Sequence, residues 1–187
     1  VYSLSSNFAE IFTVLIGMLT GHTILIPIHI LFIDLVTDSI PSICLSFEKA
    51  EKDVMKKEPR GIDKPIFTPF VYGSIISSAV VETIFVLITY FVGLRHFSNE
   101  IAGSLALLSL VIQEIIYAVV CRNLKELVTK QGIFSNKAMN FGLLIVIIIE
   151  LLVFATPLGS IISVEVLPMS ILLKVVLFNS CLLYTSP

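Results

Sequence analysis

The chain has 187 residues, of which 56% are hydrophobic and 14% are charged, and its formal net charge is −2. Soluble domains carry about a quarter charged residues, so this composition excludes an ordinary soluble enzyme. Because the chain has no excess of basic residues, no nucleic-acid partner is expected. The composition predicts an all-α membrane protein, with a bundle of about six transmembrane helices in a lipid bilayer.

A transmembrane helix needs about 20 mostly apolar residues, and the apolar stretches predict where the helices lie. The charges between them predict the orientation, because ten basic residues fall in two loops and one, Arg95, falls in the loops of the opposite face. Loops rich in lysine and arginine stay in the cytoplasm. We therefore predict one transmembrane domain over 1–187, with cytoplasmic loops at 47–66 and 122–137 and spans at about 1–19, 24–46, 67–94, 104–121, 138–158 and 166–183.

Both ends of the chain are unusual. Val1 is not a start residue and the chain opens inside an apolar stretch, so we expect a fragment with a truncated first helix. Residues 181–187, with the sequence CLLYTSP, resemble a translated sequencing adapter and are interpreted as a possible non-native tail. The three cysteines have no paired spacing, so the sequence supports neither a disulfide framework nor a zinc site.

The second span contains the most informative residues of the chain. Thr37 and Asp38 lie one helical turn after Asp34, and Pro41 follows within the same apolar stretch. Ionisable side chains in hydrocarbon are costly and usually functional, and proline frees backbone carbonyls that something else must satisfy. Carboxylate, hydroxyl and carbonyl oxygens are the ligands of hard cations. The run therefore predicts a cation site.

Counting residues along each helix predicts that further polar side chains lie at the same membrane depth as Asp34. Glu10 and Asp34 each lie twelve residues from His22, at the turn between the first two spans. Both therefore lie about 18 Å from that turn, near the bilayer centre. Glu114 lies ten residues inside the span predicted to begin at residue 104. Polar side chains from three helices therefore converge on one level: Asn7, Glu10, Asp34, Thr37, Asp38 and Glu114.

Two further acidic residues stand apart from this group. Glu82 and Glu150 are central in their spans and have no evident polar neighbour one turn away. Each is interpreted as a protonated core residue that bonds to a neighbouring helix, with a proton path as the alternative. Asn179 is interpreted as an ordinary hydrogen-bonding residue between helices.

Two motifs make the chain similar to a known family. The run Ser5-Ser6-Asn7-Phe8-Ala9-Glu10, followed by Asp34-Leu35-Val36-Thr37-Asp38-Ser39-Ile40-Pro41, resembles the fifth and sixth transmembrane helices of P-type cation-transporting ATPases. The similarity is greatest to the branch with the calcium pumps and the sodium/potassium pumps. Loop residues 47–60 also resemble that family. The resemblance implies that the six spans are helices five to ten, and that this chain begins halfway along helix five.

The resemblance also implies ligand roles. In calcium pumps the matching positions supply oxygen ligands: Asn7, Glu10, Thr37, Asp38 and Glu114, with Gln113 as the alternative in the eighth helix. Asp34 stands where calcium pumps carry asparagine and sodium/potassium pumps carry aspartate, and Ser39 replaces a common glycine. Calcium is the predicted cargo, and sodium, potassium or protons remain alternatives.

The expected activity is that of an ATP-driven pump that is only partly present in this chain. The family's phosphorylated aspartate motif is absent, so ATP and magnesium would bind only to cytoplasmic domains outside the chain, and the fragment should not hydrolyse ATP alone. Its partners would be those domains and the first four helices. The short loops on the non-cytoplasmic face suggest a bacterial plasma membrane. A secondary transporter or channel would show an internal repeat, which the sequence lacks, and a membrane scaffold would tolerate the loss of Asp38.

Overall fold

The computed structural model describes residues 1–48, 67–122 and 135–180. Most of the two predicted cytoplasmic loops and the whole predicted tail, 181–187, lie outside these ranges. The described residues form helices and connections, without a strand. The helices are α1 (Tyr2–Leu19), α2 (Pro27–Phe32), a π-helix (Ile33–Asp38), α3 (Ser39–Leu45), α4 (Pro69–His96), α5 (Asn99–Val120), α6 (Lys137–Ala155), a 3₁₀-helix (Pro157–Ile162) and α7 (Met169–Ser180).

Five helical segments among the described residues are candidates for crossing a membrane. They are α1, the continuous α2–π–α3 segment Pro27–Leu45, α4, α5 and α6, and each is long and apolar enough to span a bilayer. The sixth predicted span corresponds to α7, which is described over 12 residues. The all-α membrane fold expected from the composition is therefore confirmed.

Side-chain caps explain where three of the helices begin. The hydroxyls of Thr68 and Ser98 accept hydrogen bonds from backbone N–H groups of α4 and α5, and the Asn136 side chain does the same for α6. Such caps satisfy N–H groups that have no partner within the helix. Because Ser98 is the cap, α5 begins five residues before the predicted residue 104.

The second span is a widened helix around Pro41. Proline has no N–H to donate, so the carbonyl four residues earlier, that of Thr37, has no α-helical partner. The Tyr2 hydroxyl donates to that carbonyl at 3.1 Å, and the Ser39 hydroxyl donates to the Asp34 carbonyl at 2.6 Å. The chain between Ile33 and Asp38 is a π-helix, a form found often at functional sites.

The most enclosed helix is α5, which packs between α4 and α7. Its buried small residues allow close approach of the neighbouring helices, as is typical of membrane bundles. At Gly93 of α4, an added Cβ would lie 2.9 Å from Leu105 of α5. The main apolar core therefore lies along α5, with α1 and α4 on one side and α7 on the other.

A polar cluster joins helix ends at the side predicted to be cytoplasmic. The Arg122 guanidinium donates to both carboxylate oxygens of Glu48, at 2.8 and 3.1 Å. The Asn136 amide donates to the same carboxylate at 2.8 Å. These bonds connect the residues that follow α3 and α5 with the residue that precedes α6, so the ends of three spans are held together.

Gly142 permits the contact between α6 and α3, and an alanine there should weaken it. The new methyl group would overlap the Cys44 sulfur. Overpacking a close contact costs about 1–3 kcal/mol, so we expect Gly142→Ala to lower the midpoint of thermal unfolding of the purified protein. Adding Cys44→Ala should restore much of the loss. Gly73→Ala is the matched control, because nothing lies within 4 Å of its added Cβ, and equal midpoints for both alanine variants would contradict the packing argument.

Candidate cation-binding site

The inner face of α1 is a stripe of small and polar residues. Its members recur every three or four positions, which places them on one side of the helix. Glu10 lies in the middle of this stripe and is 5% exposed. The buried residues of the stripe are Tyr2, Ser5, Ser6, Ala9, Glu10, Thr13 and Gly17.

Contacts along this stripe fix the depth of α1 relative to α5. The Ser5 hydroxyl donates to the Tyr117 hydroxyl at 3.3 Å, and the rings of Tyr2 and Tyr117 lie 6.3 Å apart between centroids. Glu10 lies five residues after Ser5 in α1, and Glu114 lies three residues before Tyr117 in α5. Because α5 runs in the opposite direction to α1, both steps lead toward the same side of the membrane. The two carboxylates therefore lie within about one helical turn of the same depth.

A second contact fixes the depth of α4. The Thr83 hydroxyl donates to the Ala79 carbonyl at 2.7 Å and lies 3.4 Å from the Ala9 carbonyl of α1. In the sequence, Glu82 comes directly before Thr83, and Glu10 comes directly after Ala9. The structure thus brings Glu82 to the level of Glu10, although the sequence indicated a residue isolated on its helix.

The carboxylates of α1, α4, α5 and the π-helix share one electrostatic environment. Glu10 interacts electrostatically with Asp34, Asp38 and Glu82, and Glu114 interacts with Glu10, Glu82 and Asp38. Both carboxylate oxygens of Glu82 and Glu114, and one of Glu10, are buried without a hydrogen-bond partner among the described residues. Buried carboxylates of this kind need a bound cation or a proton.

Thr37 and Asp38 lie at the C-terminal end of the π-helix. Thr37 is fully buried, and its hydroxyl donates to the Ile33 carbonyl at 3.1 Å. Asp38 is half-buried beside the hydroxyls of Ser3 and Ser42, which lie 2.9 Å apart. The predicted pair therefore lies next to the first turn of α1, about two helical turns before Glu10.

Asn7 and Asp34 are exposed and lie outside the buried group. Asn7 lies one helical turn before Glu10 but outside the buried stripe of α1. Within residues 1–48, 67–122 and 135–180, no three His, Cys, Asp or Glu side chains lie close enough to hold one metal ion. The assignment of both residues as ligands stays a prediction.

Gln113 and Glu114 point to different neighbours. The Gln113 amide donates to the Ser109 carbonyl and hydroxyl at 3.1 and 3.2 Å, and that hydroxyl donates to the Asn179 side chain of α7 at 2.9 Å. Gln113 thus belongs to a network that joins α5 to α7, whereas Glu114 interacts with the acids of α1 and α4. Of the two alternatives in this helix, the geometry favours Glu114.

Glu82 is the residue of this group that sequence reasoning missed. The buried hydroxyl residue Ser78 lies one turn before it and Thr83 directly follows it, so α4 does present a polar patch there. That patch was the available signal. Glu150 also has two buried oxygens without a described partner, but it lies in a cleft with the apolar faces of α5 and α7.

Comparisons with known proteins show the family to which this chain is similar. The family model described as "Cation transporting ATPase, C-terminus" matches residues 22–186. A calcium-transporting ATPase of Listeria monocytogenes is 33% identical over 135 residues, covering 72% of this chain and 15% of that protein. One from Bacillus cereus is 28% identical over 178 residues, covering 84% of this chain and 20% of that protein.

A potassium-transporting relative matches a shorter part of the chain. The human "Potassium-transporting ATPase alpha chain 2" is 40% identical over 93 residues, covering 48% of this chain and 9% of that protein. The chain thus spans about a fifth or less of the length of these relatives. Since the family model matches far more than half of the chain, the chain belongs to the cation-transporting ATPases and forms the C-terminal transmembrane region of a P-type ATPase.

Proposed function

We propose that this chain supplies most of the ion-binding site of an ATP-driven pump, with calcium as the transported ion. The observation that carries the proposal is a set of buried carboxylates from three helices, those of Glu10, Glu82 and Glu114. Among the described residues, five of their six oxygens have no hydrogen-bond partner and are buried. Together with Asp38 they provide negative charge and oxygen atoms, which suit a hard cation. In a bilayer, carboxylates at this depth serve ion or proton transport by default.

The proposed site is open on one side. Asn7 and Asp34 are exposed on helices that otherwise face the buried acids, so further ligands from the rest of the pump can complete the coordination there. ATP, magnesium and the phosphorylated residue would belong to cytoplasmic domains outside this chain. The chain alone would therefore bind the ion weakly and hydrolyse no ATP.

The carboxylates would exchange cations for protons during transport. When the cation leaves, several negative charges remain in a medium of low dielectric constant, where they repel strongly. Uptake of protons relieves this repulsion, so counter-transport of protons is expected. The relatives named as calcium-transporting ATPases include bacterial proteins, which supports calcium as the ion and a bacterial plasma membrane as the location.

Asp34→Asn in the full-length pump tests the identity of the ion. For a calcium pump we expect calcium-dependent phosphorylation by ATP to persist, because an amide oxygen still serves as a ligand, while the half-maximal calcium concentration shifts several-fold. The measurement is phosphoenzyme formation against calcium, sodium and potassium concentration.

The outcomes of this experiment separate the alternatives. If phosphorylation of the unmodified pump depends on sodium or potassium and not on calcium, the assignment of calcium is overturned. An unchanged calcium dependence in Asp34→Asn would show that Asp34 does not contact the ion. Glu165→Gln is a matched control, since Glu165 is an exposed acid in the connection before α7.

A further inference from the structure

A groove lies at the surface of the bundle, and none of the buried acids lines it. It has a volume of about 660 Å³ and is bordered by α4, α5 and α7. Its walls are mostly apolar, and the rings of Phe85 and Phe178 stand 4.9 Å apart next to it. The groove is open along one side, so an extended apolar chain can enter it from the surrounding bilayer.

Two side chains at the groove can bear positive charge, and none of its lining residues is acidic. These are His96, at the C-terminal end of α4, and Lys174, in the second turn of α7. Lys174 is exposed although it lies within an apolar helix. A lysine facing lipid is costly unless its ammonium reaches the headgroup region or an opposite charge.

The direction of α7 brings the lysine to the membrane surface. Lys174 lies five residues after Met169, about 7.5 Å along the helix. Side chains on a helix lean toward its N-terminus, which for α7 is the end nearest the connection from α6. The C-terminal end of α4, with His96, lies at this same end of the groove. With the predicted orientation, this end faces the non-cytoplasmic leaflet.

We propose that this groove binds one anionic phospholipid of the non-cytoplasmic leaflet. An acyl chain lies along the apolar wall formed by Val92, Val175 and Phe178. The phosphate accepts hydrogen bonds from the Lys174 ammonium and the His96 imidazole. Charge complementarity selects the occupant, because the lining offers hydrogen-bond donors and a positive charge at the mouth and hydrocarbon contacts below it. The lipid thereby joins α7 to α4.

Native mass spectrometry of the full-length pump, purified from membranes and exchanged into mixtures of phosphatidylglycerol and phosphatidylcholine, tests this site. We expect one retained phosphatidylglycerol in the unmodified pump. In Lys174→Met its occupancy should fall about five-fold, because the electrostatic attraction between one lysine and an anionic headgroup corresponds to a change in affinity of this factor. Lys174→Arg keeps the charge and should retain the lipid. Val92→Phe should displace it by filling the groove while both basic groups remain.

Lys137→Met is the matched control, because Lys137 starts α6 at the opposite end of the bundle. Equal retention of phosphatidylglycerol in Lys174→Met and Lys137→Met would overturn the proposal. Equal retention of phosphatidylcholine and phosphatidylglycerol by the unmodified pump would overturn the role of the anionic headgroup. A second protein chain covering the groove in the purified complex would overturn the lipid as the occupant.

Discussion

Replacing Glu114 by glutamine should raise the calcium concentration for half-maximal phosphorylation of the full-length pump about 30-fold or more. Glu114 is fully buried, with two carboxylate oxygens free of hydrogen bonds among the described residues. Removing one partner of a buried charge pair costs about 2 kcal/mol or more, and about 1.4 kcal/mol corresponds to a factor of ten in affinity. The measurement is phosphoenzyme formation against free calcium, supported by equilibrium calcium binding.

Gln113→Met provides the control for this prediction on the same helix. It removes the amide that donates to Ser109, so it should lower the thermal unfolding midpoint while leaving the calcium dependence close to that of the unmodified pump. The reverse result, with calcium affinity lost in Gln113→Met and kept in Glu114→Gln, would make Gln113 the ion ligand and overturn the assignment favoured by the geometry.

The outline of the fold could be predicted from the sequence because a bilayer imposes simple rules. Apolar length identifies the spans, and the rise per residue gives the depth of each polar side chain along its helix. This reasoning placed Glu10 and Glu114 at one level, and the contact between Ser5 and Tyr117 agrees with it. Depth along an axis needs no knowledge of which helices are neighbours.

The direction in which a side chain faces was harder to predict. Asn7 and Glu10 are close in sequence, yet Glu10 faces the buried acids and Asn7 is exposed, since rotation about α1 is set by packing against α4 and α5. Glu82 is the converse case. It is the one acidic residue of α4, and the contact of Thr83 with α1 brings it to the level of the other acids.

The response of the helix to Pro41 also depends on tertiary contacts. The sequence correctly indicated freed carbonyl groups, but several conformations could satisfy them. Tyr2, 35 residues earlier in the chain, donates to the Thr37 carbonyl, and Ser39 donates to that of Asp34. These bonds are compatible with the π-helix, and the first of them could not be foreseen without the packing of α1 against the second span.

Glu82→Gln should lower the apparent calcium affinity of the full-length pump about ten-fold, although Glu82 lies on a helix with no predicted ligand. At an effective dielectric constant of about 20 and a separation of about 10 Å, a unit negative charge attracts a divalent cation by about 3 kcal/mol. Partial screening reduces this attraction, so a factor of ten is expected. Calcium-dependent phosphorylation is the measurement, and Glu82→Asp, which keeps the charge, should lie close to the unmodified pump.

Glu150→Gln is the matched control for the charge at Glu82. Both glutamates are buried in the middle of long apolar helices and have free carboxylate oxygens among the described residues. Glu82, however, interacts with both Glu10 and Glu114, whereas Glu150 interacts with Glu114 and lies in the cleft toward α7. We therefore expect a clearly smaller shift in Glu150→Gln. Equal shifts in the two variants would mean that any buried charge in the bundle acts on the ion, and no shift in Glu82→Gln would remove α4 from the ion-binding site.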